Sequence, residues 1–186
     1  IAIHGTELWK TFLLNASGSG VSIVRNAAGP FTELMPTVFL AGRILELPEL
    51  LIIVTQVVTS AAVIFATYAV IRRNKDPIVW AALISLGTFL VSPTAFVYDM
   101  VIVAVATILL AVNSRPDDLL PFERVILILL WMLPLLTIYL NNAAVPLAPL
   151  VLFVGFIYVV LKGLRGHRTS MTWAESQVSM HSGVSG

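Results

Sequence analysis

The sequence predicts an all-α fold: a polytopic transmembrane helix bundle of about five spans plus a short interfacial helix. Three observations predict it. Apolar residues come in long blocks, the pattern of bilayer-crossing helices. Charge is scarce, with 58% of the 186 residues hydrophobic and 11% charged, where an ordinary soluble domain carries roughly 25% charged residues; the mean hydropathy is +0.94. Finally, Lys and Arg gather on alternate loops, as they do when positive loops stay in the cytoplasm.

Composition also excludes several functions. A net charge of +1 gives no electrostatic basis for a nucleic-acid partner. The absence of Cys removes disulfides, thiolate zinc sites and Cys nucleophiles. His4, His167 and His181 lie in separate regions without ligand spacing, so no metal site and no cofactor are expected. The chain opens on Ile1 with no signal-peptide pattern, which suits a mature product or part of a longer protein.

Residues 1–34 are mixed and loop-like, with a Ser17-Gly18-Ser19-Gly20 stretch and a Gly29-Pro30 breaker. Residues 34–47 read as a short helix with Met35, Val38, Phe39 and Leu45 on one face, too short to span and suited to the interface. The first span is 50–71, closed by Arg72-Arg73-Asn74-Lys75. The second covers 78–91 and stops at Ser92-Pro93, and the third covers about 97–112. Both fall short of the ~20 residues that cross a bilayer, so they read as a hairpin whose tip lies within the membrane depth or beside a cavity. A fourth span covers 125–140, with Pro134 inside it, and a fifth covers 145–161. The remainder is polar, Gly/Ser-rich and aperiodic, as a disordered tail would be. Three regions follow: an extracytoplasmic segment 1–49 with the short helix, a five-span bundle 50–161, and a disordered cytoplasmic tail 162–186.

Orientation follows from the basic residues. With the Arg72–Lys75 loop in the cytoplasm, that side holds Arg72, Arg73, Lys75, Arg115, Arg124, Lys162, Arg165 and Arg168 of the 11 basic residues. The other side keeps Lys10, Arg25 and Arg43. The Ser92–Asp99 hairpin is therefore expected on the extracytoplasmic face of a multi-pass plasma-membrane protein.

The segment Ser92-Pro93-Thr94-Ala95-Phe96-Val97-Tyr98-Asp99 is the most informative chemically. A carboxylate at the lip of an apolar helix is costly unless paired, hydrated or interfacial. Two readings of Asp99 stay open: a site residue, or a first-turn carboxylate held by the helix dipole. Gln56, Ser60 and Thr67 share a face of the first span, and Ser85, Thr88 and Ser92 share one of the second. Such stripes serve interhelical packing more often than a substrate path. Arg43 either meets a lipid phosphate or snorkels beside Glu46 at i,i+3. Asn15-Ala16-Ser17 matches a glycosylation sequon, and Trp9, Trp80, Trp131 and Trp173 suit interfacial anchoring or the tail.

Trp9-Lys10-Thr11-Phe12-Leu13, Met35-Pro36-Thr37-Val38-Phe39, Arg43, Gln56 and Ser92-Pro93…Tyr98-Asp99 together resemble glycosyltransferase family 87. These are bacterial GT-C-class membrane enzymes, typified by polyprenol-phosphate-mannose-dependent α-mannosyltransferases. The resemblance covers about residues 1–112; beyond it the chain matches only as generic C-terminal spans. It implies a hexosyltransferase, mannosyltransferase-like, that moves a hexose from a polyprenyl-phosphate donor to an extracytoplasmic glycan or glycolipid acceptor. It implies an inverting mechanism in which a carboxylate deprotonates the acceptor hydroxyl. In the family that base lies in the first extracytoplasmic loop, and nothing in this sequence corresponds to it. The chain is therefore expected to be the C-terminal part of a longer enzyme, inactive alone, with the catalytic residue upstream. The resemblance assigns Tyr98, Asp99, Arg43 and Gln56 to substrate binding. The competing class is a small transporter or flippase-like bundle with Asp99 on the path, against which the five spans show no inverted repeat. A non-catalytic membrane scaffold is the third.

Overall fold

A computed structural model of the chain describes residues 7, 9–11, 14, 34–114 and 120–182, with side chains through residue 165. Its main elements are all helical: α1 (Val38–Ile44), α2 (Glu49–Arg73), α3 (Pro77–Val91), a 3-10 turn (Val97–Met100) leading into α4 (Val101–Asn113), α5 (Glu123–Asn142) and α6 (Ala148–Ser182). Among the described residues, three helices are long and apolar enough to cross a membrane: α2, α5 and the Ala148–Arg165 part of α6. At 1.5 Å per residue they measure ~37, ~30 and ~27 Å, against a hydrocarbon core of ~30 Å. The apolar stretches Pro77–Val91 and Val97–Asn113 are shorter.

Local chemistry sets the helix ends. Asp76 caps α3, its carboxylate accepting from Ile78 N at 2.8 Å, and Pro77 follows at a first-turn position that needs no N–H donor. At the other end Pro93 holds Ser92 in an extended conformation, φ −80° and ψ 125°. Glu49 opens α2, and Arg72 and Arg73 close it, each sign matched to the helix dipole. Pro134 sits inside α5, where its missing N–H leaves the Leu130 carbonyl without its usual helical donor.

The short α3 is the centre of the bundle. Ala82, Leu83, Leu86, Phe89 and Leu90 are sealed from outside, and α3 packs against α2, α4 and α6, while α5 packs on α4 and α6. By contrast α2 buries only Ile52, Gln56, Val63 and Val70. Its Leu50, Ile53, Val57, Val58, Ile64 and Phe65 face outward, a surface that is stable against lipid and not against water. Small residues allow close helix approach. A Cβ on Gly155 would lie 2.7 Å from Leu130 Cδ2, and one on Gly163 would lie 2.7 Å from Val70 Cγ1 and 3.0 Å from Val79 Cγ1.

One expectation needs correction. The short helix expected over 34–47 is confined to Val38–Ile44. Pro36 favours an extended residue before it, and Thr37 starts the helix by accepting from Leu40 N at 3.2 Å. The helix buries Leu40 and Gly42, Met35 is buried just ahead of it, and Leu45 is exposed. At the other end of the chain, α6 runs through to Ser182. After Pro149 no proline interrupts it, and Gly163 and Gly166 each cost about 1 kcal/mol without blocking the helix. The Ser17–Gly20 stretch, the Gly29-Pro30 breaker, the sequon, His4, Arg25 and Arg115 lie outside the described residues.

Candidate functional site

Gln56 links α2 to the end of α3. Its amide nitrogen donates to the carbonyls of Leu90 and Val91, both at 3.0 Å, and to Ser60 Oγ at 3.2 Å. The two carbonyls belong to the last turn of α3, which has no helical donors of its own. Gln56 lies seven residues into α2, so α3 ends ~10 Å short of the start of α2. The hairpin after α3 is thus recessed below that end of the bundle.

Residues 34–37 fill part of the recess. Val97 N donates to the Leu34 carbonyl at 2.8 Å, and Asn141 Nδ2, at the end of α5, donates to the Met35 carbonyl at 3.1 Å. Met35 and Thr37 are buried. Two segments about sixty residues apart in sequence thereby meet as backbone, with an amide from a third.

The four residues singled out from the sequence occupy different settings here. Gln56 is buried, and its Oε1 has no hydrogen-bond partner among the described residues, an acceptor that would suit a hydroxyl or water donor. Asp99 is exposed, and its Oδ2 accepts from Phe96 N at 3.4 Å, a cap on its own turn. Tyr98 is exposed and stacks on Phe96 at a centroid distance of 5.2 Å. Arg43 is exposed in the last turn of α1. The polar stripe on α2 divides between packing and groove. Gln56 and Ser60 bond the end of α3. Thr67 instead lines a surface groove of about 510 Å³ with Thr88 and Ser92.

The opposite end holds a cluster that sequence reasoning missed. The Glu123 carboxylate, 1% exposed, pairs with Lys162 Nζ at 2.7 Å. Ser114 bridges the pair: its hydroxyl accepts from Lys162 at 2.5 Å and donates to Glu123 Oε1 at 2.5 Å. Glu123 Oε2 accepts from Leu120 N at 2.9 Å, and Lys162 also donates to the Tyr158 hydroxyl at 3.1 Å. Three stretches of chain converge here. The same end is tied by Asn74, whose Nδ2 donates to the Gly163 carbonyl at 2.7 Å and whose carbonyl accepts from Trp80 Nε1 at 2.7 Å. Glu123 stands at the lip of an apolar segment just as Asp99 does, so the rule that singled out one carboxylate could have found the other. Lys162 was read only as a marker of orientation.

No protein-family model matches the chain, and no curated protein or solved structure is significantly similar to it.

Proposed function

We propose that the chain is the C-terminal part of an integral membrane glycosyltransferase that moves a hexose, mannose in the first instance, from a polyprenyl-phosphate donor to an extracytoplasmic acceptor. The observation that carries the reading is the meeting of the two segments most specific to the resemblance. The Met35-Pro36-Thr37-Val38-Phe39 element and the Ser92–Asp99 hairpin, remote in sequence, are joined through Val97 N and the Leu34 carbonyl at 2.8 Å. At that end Tyr98, Asp99 and Arg43 are exposed and Gln56 Oε1 is buried without a partner among the described residues, a set with the mixed character a sugar-phosphate site needs. Carboxylate and amide oxygens accept from sugar hydroxyls, and a guanidinium binds phosphate.

In this reading α3 and the Val97–Asn113 stretch complete five crossings as a recessed pair. The Lys/Arg-rich end faces the cytoplasm and the hairpin faces outward across the plasma membrane. The general base comes from a part of the enzyme outside this chain. The hairpin geometry favours this over a transport path, because Asp99 caps its own turn at the exposed rim and does not enter the bundle.

The test uses membrane vesicles containing the intact gene product and polyprenyl-phosphate mannose labelled in the sugar. Label should pass to an acceptor in a donor-dependent way, and Asp99→Asn should slow the transfer at least tenfold, about 1.4 kcal/mol of transition-state stabilisation. Absence of transfer from every polyprenyl-phosphate hexose tried would overturn the proposal. Unchanged turnover in Asp99→Asn would remove Asp99 from the site.

A further inference from the structure

Beside the buried ion pair, α5 and α6 leave a groove of about 370 Å³ between them. Ile126 of α5 and Val154 and Ile157 of α6 form its walls, Leu120 and Tyr158 close one side, and Arg165 stands at its end. We propose that this groove holds one acyl chain of an anionic phospholipid, with the lipid phosphate at Arg165.

Length, chemistry and charge support this occupant. Val154 to Arg165 is eleven residues of helix, a rise of ~16 Å, which is about half of a ~30 Å hydrocarbon core and so the depth of one leaflet. The walls are aliphatic and open sideways to the surroundings of the bundle, where Ile157 is exposed. An acyl chain can enter from the bilayer without crossing a polar barrier. Arg165 is exposed, and a guanidinium presents five donors, enough to bind a phosphate while keeping another partner. Among the described residues, the carboxylate of the neighbouring ion pair does not oppose an anion. Glu123 is neutralised by Lys162 at 2.7 Å, and its oxygens are occupied by Ser114 and Leu120 N. The proposal depends neither on the glycosyltransferase reading nor on which leaflet the basic end faces.

The test is competition between phosphatidylglycerol and phosphatidylcholine for the purified protein in detergent, with retained lipids counted by native mass spectrometry. Phosphatidylglycerol should be retained about fivefold over phosphatidylcholine, the effect of one cation near a headgroup. Arg165→Gln should abolish that preference, whereas Arg73→Gln, a cation of the same end outside the groove, should leave it. Ile157→Trp, which fills the groove from an exposed wall position, should lower retention of both lipids. Equal retention of the two lipids by the unaltered protein overturns the proposal. So does an Arg73→Gln loss as large as that of Arg165→Gln, which would mean diffuse surface charge. Unchanged retention in Ile157→Trp would place the chain elsewhere.

Discussion

The two ends of the bundle are built around the same sequence feature and use it in opposite ways. Each has a carboxylate in the first turn of an apolar helix: Asp99 at the hairpin end and Glu123 at the basic end. Asp99 is exposed and bonds the amide three residues before it. Glu123 is sealed in and bonds Lys162 and Ser114, 39 and 9 residues away. The first arrangement holds only its own turn and leaves the carboxylate free to meet a ligand. The second fastens α4, α5 and α6 together and turns both of its oxygens to partners within the protein. A carboxylate at a membrane lip is thus a brace or a candidate site according to what the rest of the chain brings to it.

The largest expected effect comes from breaking the brace. Lys162→Met leaves Glu123 buried without its cation, a loss of about 3–5 kcal/mol, read as a lower unfolding midpoint in detergent. Glu123→Gln should cost less, because Lys162 is 20% exposed and its ammonium can turn outward. The double variant Glu123→Leu/Lys162→Met should recover much of the loss. If Lys162→Met melts like the unaltered protein, the basic end is not held by this pair and the contrast between the ends fails.

Glycine substitutions compare the packing of the two ends. At the basic end, Gly163→Ala drives a methyl into Val70 and Val79 on two different helices, and both are β-branched and stiff. A loss of about 1–3 kcal/mol is expected. At the hairpin end, Gly42→Ala meets Ile52 alone, and the seven-residue α1 gains up to about 1 kcal/mol in helix propensity. Thermal melting should therefore rank Gly163→Ala well below Gly42→Ala. The reverse order would make the hairpin end the more tightly built.

Gln56→Leu should cost about 1 kcal/mol, since the α3 carbonyls lose their donor while the unpartnered Oε1 is relieved. Its sharper signature is faster amide hydrogen exchange across residues 92–100. If exchange does not change there, Gln56 is not what holds the hairpin at its depth. The smallest effect on stability belongs to Asp99→Asn, within about 0.5 kcal/mol, because an Asn Oδ1 can accept from Phe96 N as the carboxylate does. The same substitution removes the charge. A melting loss comparable with that of Lys162→Met would make Asp99 a brace after all.

Much of the helical layout was legible in the sequence. The apolar block 50–71 became Glu49–Arg73, and 78–91 became Pro77–Val91, because runs of apolar residues and the flanking Asp76-Pro77 and Ser92-Pro93 act within a few residues of themselves. The site was less legible. Asp99 stood out by its place at a lip and Tyr98 only through the resemblance, whereas Glu123 was passed over because its partner lies on another helix.

By itself the sequence determined that the chain is helical, that its exterior is apolar, and where proline and capping residues stop each helix, because hydropathy and capping are local properties. Only the tertiary structure decided which helix lies at the centre, how deep the hairpin sits, and which of two similar carboxylates is buried. Those depend on pairings such as Gln56 with Leu90, Val97 with Leu34 and Glu123 with Lys162. The partners lie 34 to 63 residues apart in sequence, and the helices must pack before their polar groups can meet.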